Sequence, residues 1–348
     1  MMTPKASVMS VLRGEIPEKT PFTMYECMIP QCSVERELRN RGMCIVKRIR
    51  TYRIERPNVN EKAIEYTDKN GRRLKRIIYS TEGGELTELT EQGNNTVWKH
   101  EYMFKGPEDY KALYAFISDG RVIPDYESAA KLAGMLGDDF AVRDQICLEP
   151  LQALISEYMG TETFCYEWMD NRDEVLKLYD ALTETARKIY PVVADGPLEF
   201  ANYGGNVVPD IVGRENFENY FMPHYEEAAV VLHKKNKLIG CHFDADNSTI
   251  MDLIGRTPLD YIEAFDPGFG PSAADAGRAW PEKVLWINWP SAWQLYSEEE
   301  VYNRTIEMLR QAAPGNNFII GITEDIPEGL WQRNCLKIMD AVDGYYSR

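Results

Sequence analysis

The sequence lacks paired cysteines. Its seven cysteines, Cys27, Cys32, Cys44, Cys147, Cys165, Cys241 and Cys335, are odd in number and spread out, with no CxxC pair. That fits free thiols in a reducing cytoplasm better than a disulfide scaffold. Positive charge is in the minority: 39 Lys and Arg stand against 55 Asp and Glu, a formal net charge of −16. A nucleic-acid or anionic-membrane partner needs basic surface, so neither is expected. Long apolar runs are also missing. The start, MMTPKASVMSVLRGEIPEKTP, has no apolar core of signal-peptide length and no later segment approaches a membrane span, so a cytoplasmic protein is expected. Finally, no GxGxxG or GxxxxGK follows any apolar run, which argues against a doubly wound nucleotide fold.

What is present reads as a globular chain: 348 residues, 44% hydrophobic and 27% charged, enough for one large α/β barrel or two ordinary domains. Residues 3–14 read as a helix capped by Thr3 with Pro4 in its first turn. A strand follows at 20–29 and a helix at 33–50. Residues 62–102 alternate polar with β-branched and aromatic residues around Asn-Gly and Gly-Gly turns, the grammar of β-hairpins. From 138 onwards strands at 140–148, 197–205, 238–246, 260–267, 284–290 and 318–327 alternate with helices at 151–160, 172–193, 215–235, 249–254, 298–312 and 330–343. Such alternation means a parallel sheet with helical crossovers. Several of these strands end in polar or aromatic residues, among them Glu149, Asn202 with Tyr203, His242 with Asp244, Glu263 with Asp266, Asn288 with Trp289, and Glu324 with Asp325. Functional groups arriving from many strand ends are what a closed (β/α)8 barrel presents at one mouth. The expectation is a single-domain TIM barrel over 1–348, with an N-terminal helical segment and a β-hairpin insertion at about 62–102.

The densest chemistry lies in LIGCHFDADN, residues 238–247. On an extended chain, side chains alternate between two faces. His242, Asp244 and Asp246 then share one face, while Cys241, Phe243 and Ala245 share the other, towards the helices. An imidazole and a carboxylate at a strand end can grip one metal ion, or can simply hydrogen-bond to each other; a third ligand from elsewhere decides. Asp246 competes with Asp244 for the ligand role, and Glu263 is a candidate fourth ligand or supporting partner. His100, His224 and His233 fall in hairpin and helical stretches and read as surface or packing residues.

In this order the segments resemble the uroporphyrinogen decarboxylase superfamily. The likeness spans nearly the whole chain and is clearest in KASVMSVLRGEIPEKTPF, in DIVGRENFENYFMPHYEEAAVVLHKKN (210–236), in INWPSAWQLYS (287–297) and in FIIGITEDIPEG (318–329). The porphyrin decarboxylases of that superfamily carry an arginine-rich RQAGRY loop, whereas the corresponding stretch here is MYECMIPQCSVERE, with Glu26. Its zinc methyltransferases carry HxC at one strand end and a cysteine after the last strand. The matching positions here are His242, Asp244 and Glu324: the imidazole is kept and both thiolates become carboxylates.

The resemblance therefore implies a metal-dependent methyltransferase. It would move a methyl group between a small methylated substrate, best a phenyl methyl ether, and a corrinoid protein that carries the cobalamin. Metal ligation and catalysis fall to His242, Asp244 and Glu324. Zinc is the first expected ion, and carboxylate ligands leave other divalent ions open. Glu149, Asn202, Tyr203, Asn288 and Trp289 are candidate substrate contacts, with Asn202 and Asn288 orienting oxygens and Tyr203 and Trp289 supplying stacking walls. The alternatives are a metal-free decarboxylase, which should need an Arg or Lys clamp at the mouth, and a non-catalytic ligand-binding barrel. The oligomeric state stays open between monomer and homodimer.

Overall fold

Thr3 and Pro4 start the first helix as their chemistry requires. The Thr3 hydroxyl accepts the Ala6 N–H, and α1 runs Pro4–Leu12. This is a computed structural model, and it describes residues 2–93 and 96–347; Asn94 and Asn95, within the expected 62–102 excursion, lie outside the described residues. The chain then lays down β1 (Phe22–Tyr25) and β2 (Cys44–Ile49). It continues through β3 (Tyr52–Glu55), β4 (Asn60–Thr67), β5 (Arg73–Thr81), β6 (Gly84–Gln92), β7 (Val97–Glu101) and β8 (Arg121–Pro124). Six further strands follow: β9 (Phe140–Gln145), β10 (Phe200–Tyr203), β11 (Leu238–His242), β12 (Tyr261–Phe265), β13 (Val284–Asn288) and β14 (Phe318–Ile322).

Eight of these close into a barrel in the order β1-β14-β13-β12-β11-β10-β9-β2, and every neighbouring pair is parallel. Helices lie between successive barrel strands, so the fold is a (β/α)8 barrel. Closure leaves no free edge in this sheet. Inside, Cys44, Val46, Ala141, Phe200, Tyr261, Val284, Trp286 and Ile319 form one core with Val8, Met9, Val11 and Leu12 of α1. The N-terminal helix thus seals the barrel floor with apolar side chains and leaves the C-terminal strand ends to polar ones.

The chain divides into two compact units, and Tyr52–Asp125 with Cys147–Val192 form the second. It holds the antiparallel pair β3-β8 and a four-stranded antiparallel sheet, β4-β5-β6-β7, which is the expected hairpin excursion. One expectation fails. The helix expected over 33–50 stops at Asn40, and CIVKRI becomes β2, the eighth barrel strand. The physical reason is Gly42, whose φ of 98° ends the helix in a conformation that side-chain-bearing residues avoid. Among the described residues no helix is long and apolar enough to cross a membrane.

Candidate metal centre

The parity of β11 places the site. Cys241 and Phe243 turn outward: the Cys241 thiol meets the Tyr225 hydroxyl at 3.6 Å, and the Phe243 ring packs against Phe217 and Tyr225. Their neighbours must then face the barrel axis. Gly205 lets the loop after β10 pass over the histidine; its φ is 145°, and a Cβ there would come within 3.2 Å of His242 Cβ.

His242 Nε2 lies 3.6 Å from Asp244 Oδ2 and 3.4 Å from Glu324 Oε1. One ligand atom from each of the three residues falls within 4.8 Å of the others, and all three are partly accessible. Metal–ligand bonds of roughly 2.0–2.2 Å in a tetrahedron put neighbouring ligand atoms about 3.3–3.6 Å apart. The two measured edges match that spacing. An imidazole nitrogen with two carboxylates suits a divalent cation of borderline or harder character, and three protein ligands leave a position for substrate. The residues fit the group.

Beneath them sits a buried charge cluster. His242 and Glu263 are register partners on β11 and β12, and His242 Nδ1 is 3.3 Å from Glu263 Oε2. The Tyr25 hydroxyl lies 3.3 Å from the same nitrogen. Glu263 has no exposed surface and is paired with Arg143, 1% exposed, at 2.5 Å; Asn202 Nδ2 donates to its other oxygen at 2.9 Å. Burial pushes the Glu263 pKa up, but the Arg143 guanidinium and the His242 ring reverse that and hold it below the usual carboxylate range. Burial likewise pulls the imidazole pKa down. Tyr25, Asp244, Glu263 and Glu324 outweigh it, so with these protein groups around it the ring's pKa lies well above that of an ordinary histidine. The Tyr25 hydroxyl stays protonated, its pKa pushed up by burial and by the Glu263 charge.

The remaining expected residues divide by parity. Asn202 and Asn288 point inward, yet each serves a carboxylate: Asn202 donates to Glu263, and Asn288 Nδ2 donates to Asp266 Oδ2 at 3.2 Å while its oxygen accepts the Thr323 N–H at 3.1 Å. Tyr203 and Trp289 do not line the mouth. Each follows an inward asparagine by one residue and so faces outward, with no exposed surface. Tyr203 stacks edge-on with Tyr225, and the Trp289 indole donates to Thr305 Oγ1 at 3.0 Å in the helix Glu298–Gln311. Neither ring is available as a stacking wall. Glu149 belongs to the second unit, buried at the start of the helix Pro150–Ala153. Asp246 turns away from the ligand set, accepting the Ser248 N–H at 2.9 Å in a tight turn.

Tyr25 and Arg143 are absent from the sequence-based candidates, and Asp266 figures there only as a strand-end residue. Asp266 is half-buried near the ligands; burial and the charges of Glu324 and Asp244 push its pKa up, against hydrogen bonds from Gly268 and Asn288. The signal available for Arg143 is its place in a strand directly after Phe140, Ala141 and Val142, because a guanidinium buried in a barrel strand must find a partner.

No family profile and no curated protein matches the chain. Among solved structures it is similar to a methyltransferase from Methanosarcina mazei, with a TM-score of 0.60 and 12% identity over 99% of this chain and 100% of that one. It also resembles a B12-independent methionine synthase from Shewanella sp. W3-18-1 in complex with selenomethionine, with a TM-score of 0.48 and 11% identity over 89% of this chain and 84% of that one. At these identities the likeness is one of fold.

Proposed function

We propose that the chain is a metal-dependent methyltransferase that moves a methyl group between a small methylated substrate, best a phenyl methyl ether, and a corrinoid carried by a partner protein. The barrel with its insertion then acts as one catalytic domain. The observation that carries the reading is the convergence of His242 Nε2, Asp244 and Glu324 at a strand-end mouth. The resemblance to corrinoid-linked methyltransferases and the shared fold of the Methanosarcina mazei methyltransferase support it.

A divalent cation at this site, zinc first among them, supplies Lewis acidity for a developing phenolate or alkoxide. His242, Asp244 and Glu324 would hold it, and their two negative charges leave the loaded centre near neutrality. A neutral ether therefore enters without electrostatic penalty. Asn288 orients Asp266 beside the ligands, where its raised pKa suits it to exchange a proton with the departing oxygen. Arg143 is committed to Glu263, so it does not clamp a substrate carboxylate, and this disfavours a decarboxylase.

Elemental analysis of the purified protein tests the reading first. About one divalent ion per chain is expected in the wild type and none in His242→Ala. A wild-type chain that takes up no ion from zinc, manganese or cobalt solutions refutes it. Anaerobic incubation with a Co(I) corrinoid protein and a panel of methoxyarenes, methanol and methylamines then reads methyl transfer through methyl-Co(III) absorbance.

A further inference from the structure

The ligand triad does not by itself determine which imidazole nitrogen faces the cation. A free histidine side chain offers two tautomers and two ring orientations, and only one combination presents a lone pair to Asp244 and Glu324. The environment of Nδ1 breaks that degeneracy. Glu263 Oε2 and the Tyr25 hydroxyl both lie 3.3 Å from Nδ1, and the two open carboxylates lie on the Nε2 side.

Glu263 is itself immobilised. Arg143 pairs with one of its oxygens at 2.5 Å and Asn202 donates to the other at 2.9 Å, so three barrel strands, β9, β10 and β12, hold one carboxylate. Neither Arg143 nor Glu263 reaches solvent, and breaking such a buried pair strands a charge. A device this expensive in desolvation needs a purpose beyond stability, since apolar residues would fill the same volume at lower cost.

We propose that Arg143 and Glu263 are positioning residues: Glu263, locked by Arg143 and Asn202, accepts the Nδ1–H of His242 and so fixes Nε2 as the lone pair offered to the metal. Neither residue touches the cation or the substrate. The inference rests on the metal reading above. It adds the element that makes one histidine and two partly accessible carboxylates a site for a cation and not a chance cluster. Tyr25 contributes by filling the space beside Nδ1, its ring covered by the Arg48 guanidinium at 3.9 Å.

The test uses the full chain with zinc, in competition with a chromophoric chelator. Glu263→Gln keeps the shape and removes the charge, and is expected to weaken zinc binding about 10–100-fold at unchanged stoichiometry. Arg143→Lys, which keeps a cation at the position, is expected to lose less than Glu263→Gln. Chelator competition alone would not separate orientation from general softening. The second readout is therefore 15N NMR of histidine-labelled protein, with the His242 signals assigned by their absence from His242→Ala. In the zinc-loaded wild type the proton is expected on Nδ1 and the metal-shifted resonance on Nε2; in Glu263→Gln the two ring signals should broaden or exchange roles. Equal zinc affinity in wild type and Glu263→Gln overturns this inference and leaves the metal reading standing, as does a wild-type proton on Nε2. A wild type that binds no zinc or any other divalent ion overturns both.

Discussion

Gly240 offers the sharpest check on how the barrel interior carries the site. It sits one inward step below His242 on β11, and an added Cβ would lie 2.1 Å from Tyr261 Cε2, 2.3 Å from Cδ2 and 2.4 Å from Cζ. Carbon atoms pack at about 3.5–4.0 Å, so the ring would have to move by about 1.5 Å. It has nowhere to go: Tyr261 is fully buried between Phe200 and Trp286, and its hydroxyl donates to the Ala201 carbonyl at 2.7 Å. Removing a glycine from an extended strand would otherwise stabilise by roughly 0.4–1 kcal/mol through the unfolded chain. Against that stand overpacking, about 1–3 kcal/mol, and a buried hydroxyl forced off its acceptor, about 1–3 kcal/mol. Gly240→Ala should therefore destabilise by roughly 1–5 kcal/mol net. For a chain of this length that lowers Tm by about 1.5–7 °C in a thermal melt followed by far-UV circular dichroism. Zinc affinity should fall with it, because His242 rides on the same strand. The double variant Gly240→Ala/Tyr261→Leu removes the clash and should be more stable than the sum of the single losses by at least about 1 kcal/mol. A Gly240→Ala protein within about 0.5 kcal/mol of wild type, or strict additivity in the double variant, would refute the close packing argued here.

Other consequences follow from the same interior. Arg143→Met and Glu263→Gln should each cost about 3–5 kcal/mol, and the double variant much less than their sum, read as a coupling in urea denaturation; independent losses would show that the pair is not coupled. Asp144 is buried against the Thr51 N–H and hydroxyl, and burial pushes its carboxyl up to about 6. Its native pKa lies above the unfolded one, so its contribution is complete below about pH 4 and is lost as pH rises through 6, a difference of about 3 kcal/mol. The stability difference between wild type and Asp144→Asn, measured at pH 4.5 and 7.5, should change accordingly; a flat difference counts against it. Among the seven free thiols, Cys27 and Cys165 are exposed and should react with Ellman's reagent in the native protein, whereas Cys44, Cys241 and Cys335 are buried and should react only on unfolding. Burial pushes the Cys44 and Cys335 thiols up to about 12, which slows them further.

How far the chain could be read in advance depended on the range of the physics involved. Where the rule is local, a few neighbouring residues suffice. Alternation along Leu238–His242 sent Cys241 to the helices and His242 to the axis, and the Thr3-Pro4 start of α1 needed nothing beyond four residues. The same alternation, applied at the ends of β10 and β13, puts Tyr203 and Trp289 outside as soon as Asn202 and Asn288 are inside. Nearness to a strand end does not by itself bring a side chain to the mouth; parity decides which face it takes. The missed strand β2 is instructive in another way. It follows a run of Glu and Arg with high helix propensity, and the contrary signals are Gly42, a helix stop in the αL region, and the β-branched Ile45, Val46 and Ile49.

Arg143 and Tyr25 lay beyond any local rule, because their significance arises only when the barrel closes. Closure pairs β1 with both β14 and β2, and β9 with β10, so that Tyr25 arrives beside a histidine far away in sequence and Arg143 beside that histidine's carboxylate partner, Glu263. A sequence pattern can say that a buried arginine must have a partner; it takes the strand order to say that the partner is Glu263, and that Glu263 in turn holds the imidazole. The ligands of the site are thus written in single residues at strand ends, whereas their orientation is written in the topology. A variant that keeps all three ligands and breaks only the Arg143–Glu263 side-chain pair should accordingly weaken metal binding as well as stability, a consequence that His242, Asp244 and Glu324 alone would not produce.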